Sequence, residues 1–113
     1  MASGFSVDNI EIDASQLTAL LDSPDSAPLL LDVREVPELA SGIIPGATSI
    51  PMSELERRVS EVPRERNIVC YCEHGVRSLH VAAWLQANGF IALSLIGGYA
   101  EWPGPRAAWE CNP

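Results

Sequence analysis

The stretch Asn67–Gly89, NIVCYCEHGVRSLHVAAWLQANG, decides how the rest of the chain reads. Its β-branched opening, Ile68 and Val69, predicts a buried strand reaching Tyr71. Glu73-His74-Gly75-Val76 cannot continue that pattern. An amphipathic helix is expected from about Arg77 or Ser78, with Val81, Ala82 and Leu85 on its buried face and Gly89 behind its last turn. This order of strand, loop and helix delivers Cys72 to a helix N-terminus. Unpaired peptide N–H groups and the helix dipole favour a thiolate or a bound anion there, and a nearby arginine lowers a cysteine pKa further. Cys72 is therefore the candidate nucleophile, with Glu73, His74, Gly75, Val76, Arg77 and Ser78 forming the loop around it.

On the N-terminal side, Leu29-Leu30-Leu31-Asp32-Val33 is an apolar run of the kind buried on both faces of a parallel sheet. It carries Asp32 and Arg34 to the strand end where open α/β sheets place their sites. Glu35 to Ser41 is expected to make one or two helical turns stopped by Gly42. Thr48-Ser49-Ile50 reads as a short strand ended by Pro51, and Ser53-Glu54-Leu55-Glu56 as a capping box opening a helix from Glu54 to about Ser60. Earlier still, Val7 to Ile12 predicts an edge strand. Asp13 with Gln16 predicts the cap of a helix whose apolar stripe is Leu17, Leu20 and Leu21. On the C-terminal side, Ile91 to Leu95 is a strand, Gly97-Gly98 a tight turn, and Tyr99 to Trp102 a helical turn cut off by Pro103. Strands alternating with helices predict an α/β fold, a small parallel sheet with helices on both faces. The length of 113 residues fits a single domain over 1–113, with an ordered core at about 7–110.

A formal charge of −8 argues against nucleic acid or an anionic membrane as the main partner. All seven basic side chains are arginine, so lysine Schiff-base chemistry is excluded. The opening MASGFSVDNIEI carries neither a basic leader nor a long apolar run, and no signal peptide or membrane anchor is expected. Three cysteines without a framework spacing fit a reducing compartment, which makes the cytoplasm the expected location.

Three blocks carry a family resemblance. Cys72-Glu73-His74-Gly75-Val76-Arg77-Ser78 resembles the active-site loop of rhodanese-type sulfurtransferases, with Gly three residues and Arg five residues after the cysteine. Leu31-Asp32-Val33-Arg34-Glu35, followed by Gly42-Ile43-Ile44-Pro45-Gly46-Ala47 and Ile50-Pro51, is similar to the family's first signature, although Ile43 stands where many relatives have His. Leu95-Ile96-Gly97-Gly98-Tyr99-Ala100-Glu101-Trp102 is similar to its C-terminal Gly-Gly…Trp segment. The resemblance implies the rhodanese fold. It also implies transfer of sulfane sulfur through a Cys72 persulfide, from a small anionic donor such as thiosulfate to cyanide, a thiol or a sulfur-relay protein. No cofactor is expected; the three cysteines and two histidines lack the paired-ligand spacing of a structural zinc site, so no metal is expected either, and a monomer is expected.

The chemistry needs a thiolate that attacks sulfur and a loop that cradles the resulting negative charge with backbone N–H groups. Gly75 supplies the backbone freedom for such a loop. Cysteine phosphatases and arsenate reductases also cradle a thiolate, but their signature separates Cys from Arg by five residues, whereas four lie between Cys72 and Arg77. The tighter ring favours a single sulfur over a tetrahedral oxyanion, which would forgo N–H donors worth ~3 kcal/mol each. Arg77 can orient the loop, attract an anionic donor or pair with Asp32. Asp32 either caps its strand end or supports the loop, and Arg34 is expected beside it as a supporting residue more than as a substrate contact. Glu73 opposes a thiolate next to it, and protonated His74 would favour one. That opposition leaves open a non-catalytic rhodanese-like module that binds a partner or senses oxidants. Cys70 reads as buried and structural, and Cys111 as a surface thiol or a resolving one. Trp84, Trp102 and Trp109 read as packing residues, with Trp102 also able to wall the site.

Overall fold

The computed structural model describes residues 9–110. Its centre is a parallel sheet of β1 (Glu11–Ile12), β2 (Leu29–Asp32), β3 (Thr48–Ser49), β4 (Asn67–Tyr71) and β5 (Ile91–Leu95), in the order β1-β5-β4-β2-β3. Three α-helices, α1 (Ala14–Leu21), α2 (Met52–Arg58) and α3 (Val76–Ala87), are joined by 3-10 turns at Val36–Ser41, Val59–Glu61 and Tyr99–Glu101.

The two-residue period of β4 sorts its side chains between two cores. Ile68 and Cys70, with Cys72 just beyond, pack with Leu55 of α2 and with Val81, Ala82 and Leu85 of α3. Val69 and Tyr71 point the other way, onto Leu17 and Leu20 of α1 and onto Tyr99 and Trp102. A strand buried on both faces is apolar at every position, which is why Ile68 to Tyr71 reads as an unbroken run. The expected α/β fold with helices on both faces is the one observed.

The topology also places the site. From β2 the chain steps outward to the β3 edge, and from β4 it steps the opposite way to β5. The crossovers therefore leave a crevice above the C-terminal ends of β2 and β4, the position at which open parallel sheets gather their functional groups. Asp32 and Arg34 come to it from β2, and Cys72 from β4.

Local signals held at α1 and failed at α2. Asp13 Oδ1 accepts the Gln16 N–H at 2.7 Å and Gln16 Oε1 accepts the Asp13 N–H at 2.9 Å, the expected capping box. Ser53 is not a cap: α2 starts at Met52, behind Pro51, and ends at Arg58 instead of Ser60. The Glu35 carboxylate takes its place, accepting the Ser53 N–H at 3.1 Å and the Ser53 hydroxyl at 2.7 Å. An acidic group at a helix N-terminus satisfies donors and opposes the dipole, so the capping is done from outside the helix. Helix α3 begins at Val76, ahead of the expected Arg77 or Ser78. Among the described residues of the expected edge strand, Glu11–Ile12 is formed, and Val7 and Asp8 lie outside the described residues.

Candidate active site

Cys72 follows β4 directly, and backbone bonds from two directions fix the loop that it opens. The N–H groups of Tyr99 and Ala100 donate to the carbonyls of Cys72 and Glu73, each at 2.9 Å. This approach requires Gly98, because an added Cβ would lie 2.5 Å from the Cys72 carbonyl oxygen and φ there is +61°. Gly75 turns the chain into α3 with φ 93° and ψ 0°, left-handed geometry that a side chain disfavours. That turn points peptide N–H groups back at the sulfur. Gly75 N–H donates to Cys72 Sγ at 3.2 Å and Ser78 N–H at 3.3 Å, and the Ser78 hydroxyl lies 3.5 Å away.

The thiol sits at the bottom of this ring, 1% exposed. Burial opposes ionisation, yet the Ser78 hydroxyl and the N–H groups of Ser78, Gly75 and His74 outweigh it and hold the thiol below its ordinary pKa. Cys70, on the same face of the sheet, shows the contrast. Its Sγ meets the Ser78 and Leu93 carbonyls at 3.3 and 3.4 Å, and burial pushes its thiol far up. Acceptors surround one sulfur and donors the other, so only Cys72 is poised as a thiolate.

The charged residues pair in a way the spacing alone left open. Asp32 does not meet Arg77; its carboxylate takes Arg34, with Nη2 at 2.7 Å and Nε at 3.1 and 3.2 Å. Arg34 is fully buried, and its guanidinium also donates to the Gly42 carbonyl at 2.6 Å, the Glu38 carbonyl at 3.2 Å and Glu73 Oε1 at 3.2 Å. It stacks 4.2 Å from the Tyr99 ring centre. Burial works against this cation, and its bonds to Asp32 and Glu73 more than offset that effect. Glu73, the unfavourable neighbour of the thiol, thus shares a buried arginine with Asp32, which screens its charge without cancelling it.

Arg77 forms a two-pronged pair with Glu38 of the 3-10 turn, both contacts at 2.7 Å. Glu38 also accepts the Glu35 N–H at 2.9 Å. Arg77 holds the Glu38 carboxyl down at about 2. His74 and Val76 are exposed at the rim. Trp102 does not wall the site: it is buried in the opposite core, with Nε1 donating to the Pro105 carbonyl at 3.0 Å. Cys111 lies outside the described residues. Among the described residues, no three His, Cys, Asp or Glu side chains converge as metal ligands do.

A buried cysteine ringed by inward N–H groups thus sits at the switch point of a small parallel sheet, and residues 13–104 match the family model of the rhodanese-like domain. The chain belongs to the rhodanese-like family. A sulfurtransferase of Allochromatium vinosum is 39% identical over 93 residues, 81% of this chain and 86% of that protein. Human thiosulfate:glutathione sulfurtransferase is 33% identical over 88 residues, 65% of this chain and 76% of its own. The crystal structure of a rhodanese-related protein from Thermoplasma volcanium superposes with a TM-score of 0.81 at 29% identity, covering 88% of this chain and 98% of that one.

In this rhodanese-like protein, Glu38, Ser94 and Gly98 are the site residues that sequence reasoning passed over or read otherwise. Gly98 reads as a tight turn within the Gly-Gly…Trp segment, and its close approach to the Cys72 carbonyl is not foreseen there. Glu38 lies 39 residues from Arg77 and Ser94 lies 16 from Ser78, and no local pattern announces such pairings. Among the described residues no helix is long and apolar enough to cross a membrane.

Proposed function

We propose that this protein is a sulfurtransferase in which Cys72 carries sulfane sulfur as a persulfide. The observation that supports this most directly is the pair of peptide N–H groups, from Gly75 and Ser78, aimed at Cys72 Sγ inside a loop of only four residues before Arg77. With thiosulfate as donor, the thiolate attacks the outer sulfur and a new S–S bond forms. The bond to the sulfonate sulfur breaks, and sulfite leaves with its electron pair. The anionic outer sulfur of Cys72–S–S⁻ then rests against the same N–H ring that held the thiolate. Cyanide or an acceptor thiolate attacks that outer sulfur and leaves Cys72 as a thiolate. The acceptor can be a small thiol or the cysteine of a relay protein. We read the protein as a cytoplasmic monomer that needs no cofactor.

Incubation with thiosulfate is expected to add the mass of one sulfur atom, mapping to the peptide that contains Cys72. An aryl phosphate is expected to be left intact, because the short loop forgoes N–H donors that a phosphoryl transition state needs. Cys72-dependent phosphate release would overturn the spacing argument. A second reading, a partner-binding or oxidant-sensing module, draws on Glu73 beside the thiol, and the 1% exposure of Cys72 favours the partner-binding form of it. Absence of sulfur uptake from both thiosulfate and a thiol persulfide would favour it.

The Glu38 pair gives this reading a kinetic consequence. Arg77 is already paired with a carboxylate through both of its terminal nitrogens, so a dianionic donor has to compete with Glu38 for it. Glu38→Gln keeps the acceptor for the Glu35 N–H and frees the guanidinium. It is expected to lower KM for thiosulfate severalfold, the scale of a partly exposed ion pair worth ~1 kcal/mol. A rise in KM would mean that Glu38 positions Arg77 for the donor.

A further inference from the structure

The hydroxyl of Ser94, on β5, is fully buried, and the reaction as described makes no use of it. Among the described residues its Oγ has one hydrogen-bond partner, Ser78 Oγ at 2.8 Å. Ser78 Oγ in turn reaches Cys72 Sγ at 3.5 Å. Two hydroxyls in a row hold two protons, and these can be arranged in only two directions.

In one direction the Cys72 thiol donates to Ser78 and Ser78 donates to Ser94. The Ser94 proton then has no acceptor, and a buried donor left unmade is unfavourable. In the other direction Ser94 donates to Ser78 and Ser78 donates to the sulfur. Both hydroxyl protons are then placed, and Sγ, which as a thiol donates to Ser78 Oγ at 3.5 Å, would as a thiolate receive the Ser78 hydroxyl together with the N–H groups of Gly75 and Ser78. A sulfur ringed only by donors is best matched by a thiolate.

We propose that Ser94 is a positioning residue whose hydroxyl, acting through Ser78, sets the proton direction that holds Cys72 as an anion. It deepens the reading of Cys72 as a nucleophile and rests on it. The titratable and charged groups around Cys72 are Arg77 and Cys70, Glu38 and Glu35 beyond Arg77, Tyr71, the Arg34–Asp32–Glu73 cluster and exposed His74. None of them bonds to Ser94 Oγ among the described residues. Its influence is therefore confined to the path through Ser78.

The test is the pH dependence of Cys72 alkylation by iodoacetamide, followed on the Cys72 peptide by mass spectrometry. Ser94→Ala is expected to move the profile to higher pH, leaving about threefold less thiolate at a fixed pH below the midpoint, in keeping with mutual polarisation along a hydrogen-bond chain. Ser94→Thr keeps the hydroxyl and is expected to retain the wild-type profile. In a Ser78→Ala background, Ser94→Ala is expected to change nothing further, because the link is already gone. No upward move in Ser94→Ala, an equal move in both backgrounds, or a Thr variant displaced as far as Ala would each overturn the proposal. Sulfur uptake from thiosulfate is scored separately. Its failure in the wild type sinks the transferase reading, while the alkylation profiles still report on Ser94.

Discussion

Cys72→Ser is expected to abolish sulfur transfer while leaving the fold in place. The substitution keeps the side-chain shape and the two N–H donors at 3.2 and 3.3 Å, which a hydroxyl oxygen accepts as readily as a sulfur. Stability should therefore change by about 1 kcal/mol, the common effect of a single replacement. Chemistry changes far more. A serine hydroxyl has no base beside it here, and the ring that stabilises a thiolate cannot ionise an alcohol near neutral pH. Turnover should fall at least about 10⁴-fold, the scale on which loss of a covalent nucleophile is felt elsewhere. Protein-bound labelled sulfur should vanish with it. A Cys72→Ser protein that still took up sulfur would move the nucleophile to another residue, and circular dichroism with thermal melting would show whether the fold was kept.

Arg34→Met is expected to be the most destabilising single change near the site. The guanidinium is fully buried, and it satisfies Asp32, Glu73 and the carbonyls of Gly42 and Glu38 at once. Methionine fills much of the volume but leaves the fully buried Asp32 carboxylate without its cation. Breaking a buried pair from one side costs about 3–5 kcal/mol. For a domain of this size that corresponds to a fall in Tm on the order of 20 °C. The loss comes mainly from the stranded carboxylate, so Asp32→Leu combined with Arg34→Met should melt higher than Arg34→Met alone. A double variant that melts lower would place the cost in the lost packing and carbonyl bonds instead. Released from Arg34, Glu73 would also bring an unbalanced charge next to Cys72, and the thiol should alkylate more slowly at neutral pH.

The elements that could be read in advance are those whose signal is confined to a few residues. Asp13 and Gln16 lie three apart and cap each other through a single turn, and nothing distant competes for them. Ser53 carries a similar local pattern, yet its hydroxyl goes to Glu35, 18 residues earlier in the chain. A carboxylate delivered by the fold satisfies the helix start better than the serine does, and sequence spacing cannot anticipate it. The cysteines divide in the same way. Alternation placed Cys70 and Cys72 on one face, but the carbonyls around the first and the N–H groups around the second belong to chain segments that only packing brings together.

What the sequence by itself determined is the strand, loop and helix around Cys72, the parallel α/β class, and the four-residue gap before Arg77. The loop and the gap follow from periodicity and glycine placement within one short window, and the class from the alternation of such windows along the chain. What only the tertiary structure decided is how charge is distributed over that loop. Arg34 is spent on Asp32 and Glu73, Arg77 is held by Glu38, and Ser94 closes a hydroxyl chain onto the sulfur. These pairings depend on which strand ends and turns the sheet order sets side by side, because hydrogen bonds and ion pairs form by distance in space and carry no mark in the chain.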